Sequence, residues 1–416
     1  MRVEVINTGT EILLGNVTNT HLTFLGQELF PLGLRIDRQV CVPDGPAIRD
    51  ALLDAFPRAD LVLVTGGLGP TGDDLTRDLA AELLGRPLVN DPDIEGRLRA
   101  FFRKLNRPYQ ESISRQAQVP TGATVIPNDH GTAPGLYLPP GPSPADPARQ
   151  TPHVFILPGP PRELRPMFTN HVAPMIANLL PAAEGPPTLC RNYRLIGIGE
   201  SQVEALVGAE LEKLPSLEIG YCARLGEVDL RVIGTPDLLE RAEAIILPAL
   251  QTSLLSSDGK SIEEVLVTRL RENGRTLAVA ESCTGGLLAH RLTNVPGSSA
   301  VFLAGLTTYA THAKTTLLNV SESLLKEHGA VSAPVAAAMA AGARAATGAD
   351  YALSTTGEAG PDASGEGKPV GTLFIALADG SGAEPTVEEY FFPTDRASFK
   401  QRASQMALDL LRRKTG

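Results

Sequence analysis

Tryptophan is absent from this 416-residue sequence, and aromatic side chains make up only 5% of it. A platform on which single-stranded nucleic acid stacks its bases needs exposed aromatics, so such a surface is not expected. Cations are in deficit too, with 37 Lys and Arg against 47 Asp and Glu, a formal charge of −10. A chain of that sign is a poor counterion for a phosphate backbone, which leaves room only for a small local basic patch. The four cysteines, Cys41, Cys190, Cys222 and Cys283, form no C-x-x-C pair and no finger-like spacing with histidine. Reduced thiols in a cytoplasmic protein are the expectation. No apolar run reaches the ~18 residues of a spanning helix. The opening stretch carries Glu4 and Glu11 and no apolar core, so a secretory leader is not expected either.

What is present fits ordinary globular domains. Hydrophobic residues are 43% and charged residues 20%, which rules out wholesale disorder. The length suggests two to four domains at roughly 100–200 residues each. Val3–Asn7 reads as a short strand. Asp60–Thr65 is a continuous apolar run bounded by Asp and Gly–Gly, as in a strand buried on both faces. Asp74–Leu84 has leucines at helical spacing. Strand, Gly-rich turn, helix is the unit that builds a parallel sheet with a site at the strand carboxyl ends. Pro139–Pro152 reads as a surface connection and Pro181–Pro187 as a linker. Between that linker and a polar break at Ser253–Gly259 the order is strand, helix, strand, strand, a small α+β module. From Ser261, an N-cap, a second α/β segment begins. In it, Gly371–Ala378 and Val387–Phe392 are expected as antiparallel additions to the sheet.

Two strand–turn–helix motifs carry the chemistry. In the first, Thr65, Gly66, Gly67 and Gly69 precede Asp73 and Asp74. Glycines let a ligand approach the backbone, and the helix start offers N–H groups to phosphate. Asp73 and Asp74 are hard oxygen ligands for a divalent ion, or simply helix caps. The polar loops Thr8–Glu11 and Asn128–Gly135 can converge on the same strand ends. In the second motif, Glu281-Ser282-Cys283-Thr284-Gly285-Gly286 offers hydroxyls and N–H groups to an anion. Ser298 and Ser299 follow, then His312 and Lys314. A Ser–Lys or Ser–His pair makes a nucleophile. Cys283 is a further candidate, although a lone cysteine after a buried strand is commonly a small core residue.

The blocks GTEILLG (Gly9–Gly15), TGGLGPTGDD (Thr65–Asp74), GTAPG (Gly131–Gly135) and PGPPRE (Pro158–Glu163) resemble the N-terminal domain of the CinA family. ESCTGG (Glu281–Gly286), PGSS (Pro296–Ser299), TYATHAK (Thr308–Lys314), HGAVS (His328–Ser332) and GPD…KPVGT (Gly360–Thr372) resemble its C-terminal domain. The resemblance implies three α/β or α+β domains. They are a molybdopterin-binding-like, metal-dependent ADP-ribose pyrophosphatase at 1–170, a KH-type module at 171–255, and a nicotinamide mononucleotide amidase at 256–416. It implies Ser299 as nucleophile, with Tyr309 and Lys314 as activating partners. It places Ser282, Thr284, Gly285, Gly286, Thr356, Gly357 and Arg396 at the nucleotide, and Thr65, Gly66, Gly67 and Gly69 at the ligand of the first domain. Asp73, Asp74 and Glu11 would hold a divalent metal (Mg, Mn or Co); the amidase needs no cofactor. A cytoplasmic homodimer acting on small nucleotides is expected, without membrane or direct nucleic-acid contact. The alternatives are an amidase whose first domain only binds a nucleotide or pterin, and a competence or DNA-repair accessory protein.

Overall fold

The computed structural model describes residues 1–143, 149–181, 185–363 and 367–415. These fall into two compact units, Met1–Thr188 and Leu189–Gly416. The expected segments 139–152 and 181–187 lie partly outside the described residues. Among the described residues no helix is long and apolar enough to cross a membrane.

The first unit holds strands β1 (Val3–Thr8), β2 (Ile36–Val42), β3 (Leu61–Thr65), β4 (Leu88–Asn90), β5 (Gln118–Pro120), β6 (Thr124–Ile126), β7 (Gly135–Leu138) and β8 (His153–Leu157). Six form one sheet in the order β2-β1-β3-β8-β7-β6, and β4 pairs with β5 apart from it. Strands β1, β2, β3 and β8 run parallel, whereas β7 and β6 are antiparallel additions. One core on each face explains the unbroken apolar run of β3. Val62 and Val64 pack with Ile48, Leu52 and Ala80 on one side, Leu61 and Leu63 with Leu25, Leu29 and Phe168 on the other. The chain winds from β1 to β2 on one flank, then to β3 on the other. The carboxyl ends of β1 and β3 therefore form a switch point, where open α/β sheets place their ligands.

The second unit begins with β9 (Leu189–Ile196), β10 (Glu218–Arg224), β11 (Glu227–Gly234) and β12 (Leu254–Ser256), an antiparallel sheet ordered β10-β11-β9-β12. The polar break expected at Ser253–Gly259 is thus occupied in part by a strand. Leu255 of β12 and Ile196 of β9 belong to the core built by Leu266, Leu270, Val279 and Phe399 of the following segment. The middle and C-terminal modules share that core, which a reading by polarity alone missed because only three residues of the break are in the strand.

The C-terminal segment adds β13 (Leu277–Glu281), β14 (Phe302–Thr307), β15 (Tyr351–Gly357), β16 (Thr372–Ala378) and β17 (Thr386–Phe391), ordered β14-β13-β15-β16-β17. The first three are parallel, and β16 and β17 are the antiparallel additions expected. A second switch point lies between the carboxyl ends of β13 and β15. The helix Thr311–Leu318 crosses the Ala-rich helix Ala333–Thr347 so closely that a Cβ at Gly342 would lie 2.0 Å from the Leu318 carbonyl oxygen. Gly342→Ala is therefore expected to destabilise the second unit by roughly 1–3 kcal/mol, the usual cost of overpacking. Denaturant unfolding of the variant against the parent checks this.

Candidate functional site

A cleft of about 270 Å³ opens at the second switch point, lined by Ser282, Tyr309, Lys314, Thr356, Glu358 and Arg396 among others. Its floor is fixed by one carboxylate. Glu281, the last residue of β13, has no exposure to solvent. Its oxygens accept N–H bonds from Gly286 at 2.9 Å, Leu288 at 3.0 Å and Ala289 at 2.8 Å. A buried carboxylate is stable only when so bonded. Glycines at φ +59 (Gly285) and +95 (Gly286) let the chain turn into the helix Leu287–Thr293. Ser282, held by its own N–H to the Thr355 carbonyl at 2.9 Å, is thereby fixed at the rim of the strand.

Lys314 reaches the same point from the helix Thr311–Leu318. It is only 1% exposed. Its Nζ donates to Ser282 Oγ at 3.1 Å and to the Thr308 carbonyl at 2.9 Å. Arg396, at the start of the helix Arg396–Thr415, donates to the Gly360 carbonyl at 2.6 Å and to the Tyr309 hydroxyl at 2.7 Å. Thr356 donates its hydroxyl to the Ala330 carbonyl at 2.8 Å and faces the cleft beside Gly357.

Some expected residues stand elsewhere. Ser299 is exposed in the short turn Ser298–Ala300, ahead of β14, whereas Ser282 and Tyr309 follow the far ends of β13 and β14. The strand rise of about 3.3 Å per residue puts Ser299 at the opposite edge of the sheet. Within this chain Lys314 meets Ser282, not Ser299. Thr284 is buried and exchanges a hydroxyl bond with Thr355 at 2.8 Å. Gly285 and Gly286 shape the turn without lining the cleft, and the Gly286 N–H is spent on Glu281. His312 is exposed and outside the lining. Glu281 and Glu358 were missed. An acid ending an apolar strand, directly before a Ser and a Gly–Gly pair, was the signal for the first.

At the first switch point the loop after β3 is stripped of side chains for steric reasons. A Cβ at Gly66 would lie 2.5 Å from Thr8 Oγ1, one at Gly67 2.0 Å from Thr76 Oγ1, and one at Gly69 2.3 Å from Asp74 Oδ2. Asn7 donates to the Thr65 hydroxyl at 2.8 Å and accepts from Asn19 and Gln39. His21 contacts the Gly159 carbonyl at 2.7 Å, and burial holds its pKa below the ordinary value. These polar groups gave no motif in the sequence.

The acids expected to bind metal do not assemble. Asp74 closes its own turn by accepting from the Thr71 N–H at 3.0 Å and the Thr71 hydroxyl at 2.5 Å. Asp73 is exposed, its carboxyl held below the usual range by a bond from Thr71. Glu11 is exposed and folds back over Gly9. Among the described residues no three His, Cys, Asp or Glu side chains are placed to hold an ion. As arranged, Asp73, Asp74 and Glu11 do not fit a divalent metal.

The fold and cleft define a class: a chain with a mostly parallel α/β unit, then a small α+β module sharing its core with an α/β module in which a buried lysine meets a serine at the cleft. Family models match all three segments. Residues 4–178 match the model of a "Probable molybdopterin binding domain", residues 190–252 that of the "Damage-inducible protein CinA KH domain", and residues 259–415 that of the "CinA C-terminal domain". The chain is 45% identical over 408 residues to a CinA-like protein of Akkermansia muciniphila, covering 98% of this chain and 96% of that one. It is 38% identical over 422 residues to a CinA-like protein of Geotalea uraniireducens, covering 100% and 97%. A solved CinA superfamily protein from Escherichia coli is 33% identical, spans 37% of this chain and 88% of its own, and gives a TM-score of 0.36. The chain belongs to the CinA family.

Cys283 lines the cleft at only 5% exposure, and desolvation pushes its thiol up to about 12. At pH 8 only about one thiol in ten thousand would be ionised, and the thiolate is the nucleophile. Iodoacetamide at pH 8 should therefore leave Cys283 unmodified in the folded protein and modify the exposed Cys222. Peptide mass spectrometry before and after unfolding reads both.

Proposed function

We propose that the C-terminal module is a serine amidohydrolase acting on nicotinamide mononucleotide, releasing nicotinate mononucleotide and ammonia. The observation that carries this is the Ser282–Lys314 contact at 3.1 Å, sealed from water on the lysine side. A serine needs a base near neutral pH. Lys314 is the amine within reach of the Ser282 hydroxyl, so it is the group proposed as that base. A neutral Lys314 would keep an N–H on the Thr308 carbonyl and present its lone pair to the Ser282 hydroxyl.

Ser282 Oγ attacks the carboxamide carbon as its proton passes to Nζ of Lys314. The tetrahedral adduct collapses, the C–N bond breaks, and the nitrogen leaves as ammonia with the proton from Lys314. Water then attacks the resulting ester, again giving its proton to Lys314. Lys314 returns that proton to Ser282 as the acid departs, and the acid gives its remaining proton to solvent. The cleft carries both signs of charge, Arg396 against Glu358 and Asp362. That suits a zwitterionic substrate, phosphate toward the guanidinium and pyridinium toward the carboxylates.

For the first unit we propose binding of a nucleotide or pterin at Gly66 and Gly67; ADP-ribose is the ligand to assay, for binding and for cleavage with and without a divalent ion. The amidase reading is tested by ammonia release. Ser282→Ala should abolish it, while Ser299→Ala keeps it. Lys314→Arg holds a charge but cannot accept a proton, so kcat should fall on the order of 10²–10⁴-fold, as for a lost general base. An active Ser282→Ala with a dead Ser299→Ala would move the nucleophile to Ser299.

A further inference from the structure

Two helices join the cleft only at their starts: one begins after the turn that carries Ser282, the other with Arg396. Leu287–Thr293 follows the Ser282 turn, and Arg396–Thr415 carries Arg396 at its start. One arginine ties them together. Arg291 donates from Nη1 to Ser404 Oγ at 2.7 Å and from Nη2 to Gln405 Oε1 at 2.6 Å, and its Nε bonds Glu263. Its side chain is 14% exposed. Gln405 passes the contact onward. Its Nε2 donates to Glu227 Oε1 at 2.7 Å. Glu227 opens β11 of the middle module, 3.6 Å from Arg194 of β9. The preceding turn residue, Gly226, lies against Gln405, whose Cγ would be 3.2 Å from a Cβ there.

The chemistry of this relay is directional. A guanidinium only donates and a carboxylate only accepts, whereas an amide has one end of each kind. Gln405 therefore has a single orientation that satisfies both neighbours. Without Glu227 its donor end would be left unpaired in a largely desolvated place, next to a buried Arg–Glu pair that tolerates little rearrangement. Helical rise of about 1.5 Å per residue puts Arg291 within about 8 Å of Gly286 and Gln405 within about 14 Å of Arg396. A shift at the relay thus bears on the turn that holds Ser282 and on the helix start that carries Arg396.

We propose that Glu227 is a positioning residue for the amidase cleft, acting through Gln405 and Arg291, so that the KH-type module braces the substrate anchor Arg396. This rests on the amidase reading above. In the full-length protein, Glu227→Ala should raise KM for nicotinamide mononucleotide with kcat nearly kept. The rise should lie between about twofold and thirtyfold, the span of couplings carried by such networks. Gln405→Ala should do the same, and the double variant should be no worse than either single one, since both break one chain of bonds. Glu227→Gln keeps the acceptor and should restore the parental KM. An unchanged KM in both alanine variants, effects that multiply in the double, or a Glu227→Gln as impaired as Glu227→Ala would overturn the proposal. Hydrogen exchange reads the same brace without substrate. Glu227→Ala should speed exchange at the starts of both helices, around 287–290 and 397–401, and an unchanged pattern would overturn the brace. A parent protein that releases no ammonia would sink the amidase reading alone, and the exchange result would still decide the brace.

Discussion

The C-terminal half of this molecule is organised by a carboxylate that never meets water. Glu281 ends a strand whose every residue is buried, and a lone ion there would be untenable. Three backbone N–H groups, from the turn and first helical residues after it, resolve that cost. The same bonds leave the turn no freedom. Ser282 stands at the head of a locked segment, so the lysine that approaches from another helix finds it at one distance. The Ser282 hydroxyl is thus oriented by a carboxylate that stands outside the cleft.

The two α/β units solve the same topological problem differently. Both wind outward from a first strand, return on its other side, and open a crevice between two parallel strand ends. In the second unit the crevice is furnished with side chains that can move protons. In the first it is cleared of them: Gly66 and Gly67 stand where a single methyl group would strike Thr8 or Thr76. What remains is backbone, with Asn7, Thr65 and His21 arranged beneath.

Much of this was legible in the sequence. The apolar run Asp60–Thr65, leading into glycines, announced a strand buried on both faces, and Glu281–Gly286 marked a second strand–turn–helix unit. Lys314, Tyr309 and Arg396 were identified by resemblance and are brought into one cleft. Ser299 was not brought there, because the resemblance assigned roles without regard to which end of β14 each residue occupies. Ser298–Ala300 precedes β14 and Tyr309 follows it, and the length of that strand separates them. The paired acids are also set by local geometry. Asp74 looks like a ligand in sequence but is short enough to close its own turn on Thr71. Glu227, Gln405 and Arg291 carry no local pattern at all, since their partners are far apart in the chain.

The shared core of the second unit also bears on how such chains can be recombined. Ile196 and Leu255, contributed from before residue 256, fill space among residues of the C-terminal helices. A gene fusion that joined a foreign module at the Ser253–Gly259 break would bring polar residues or nothing to that space. The seam that looks most like a linker is therefore a poor place to cut. A graft that carries β9 and β12 along inherits a closed interior, and the KH-type module travels with the C-terminal module as one heritable block.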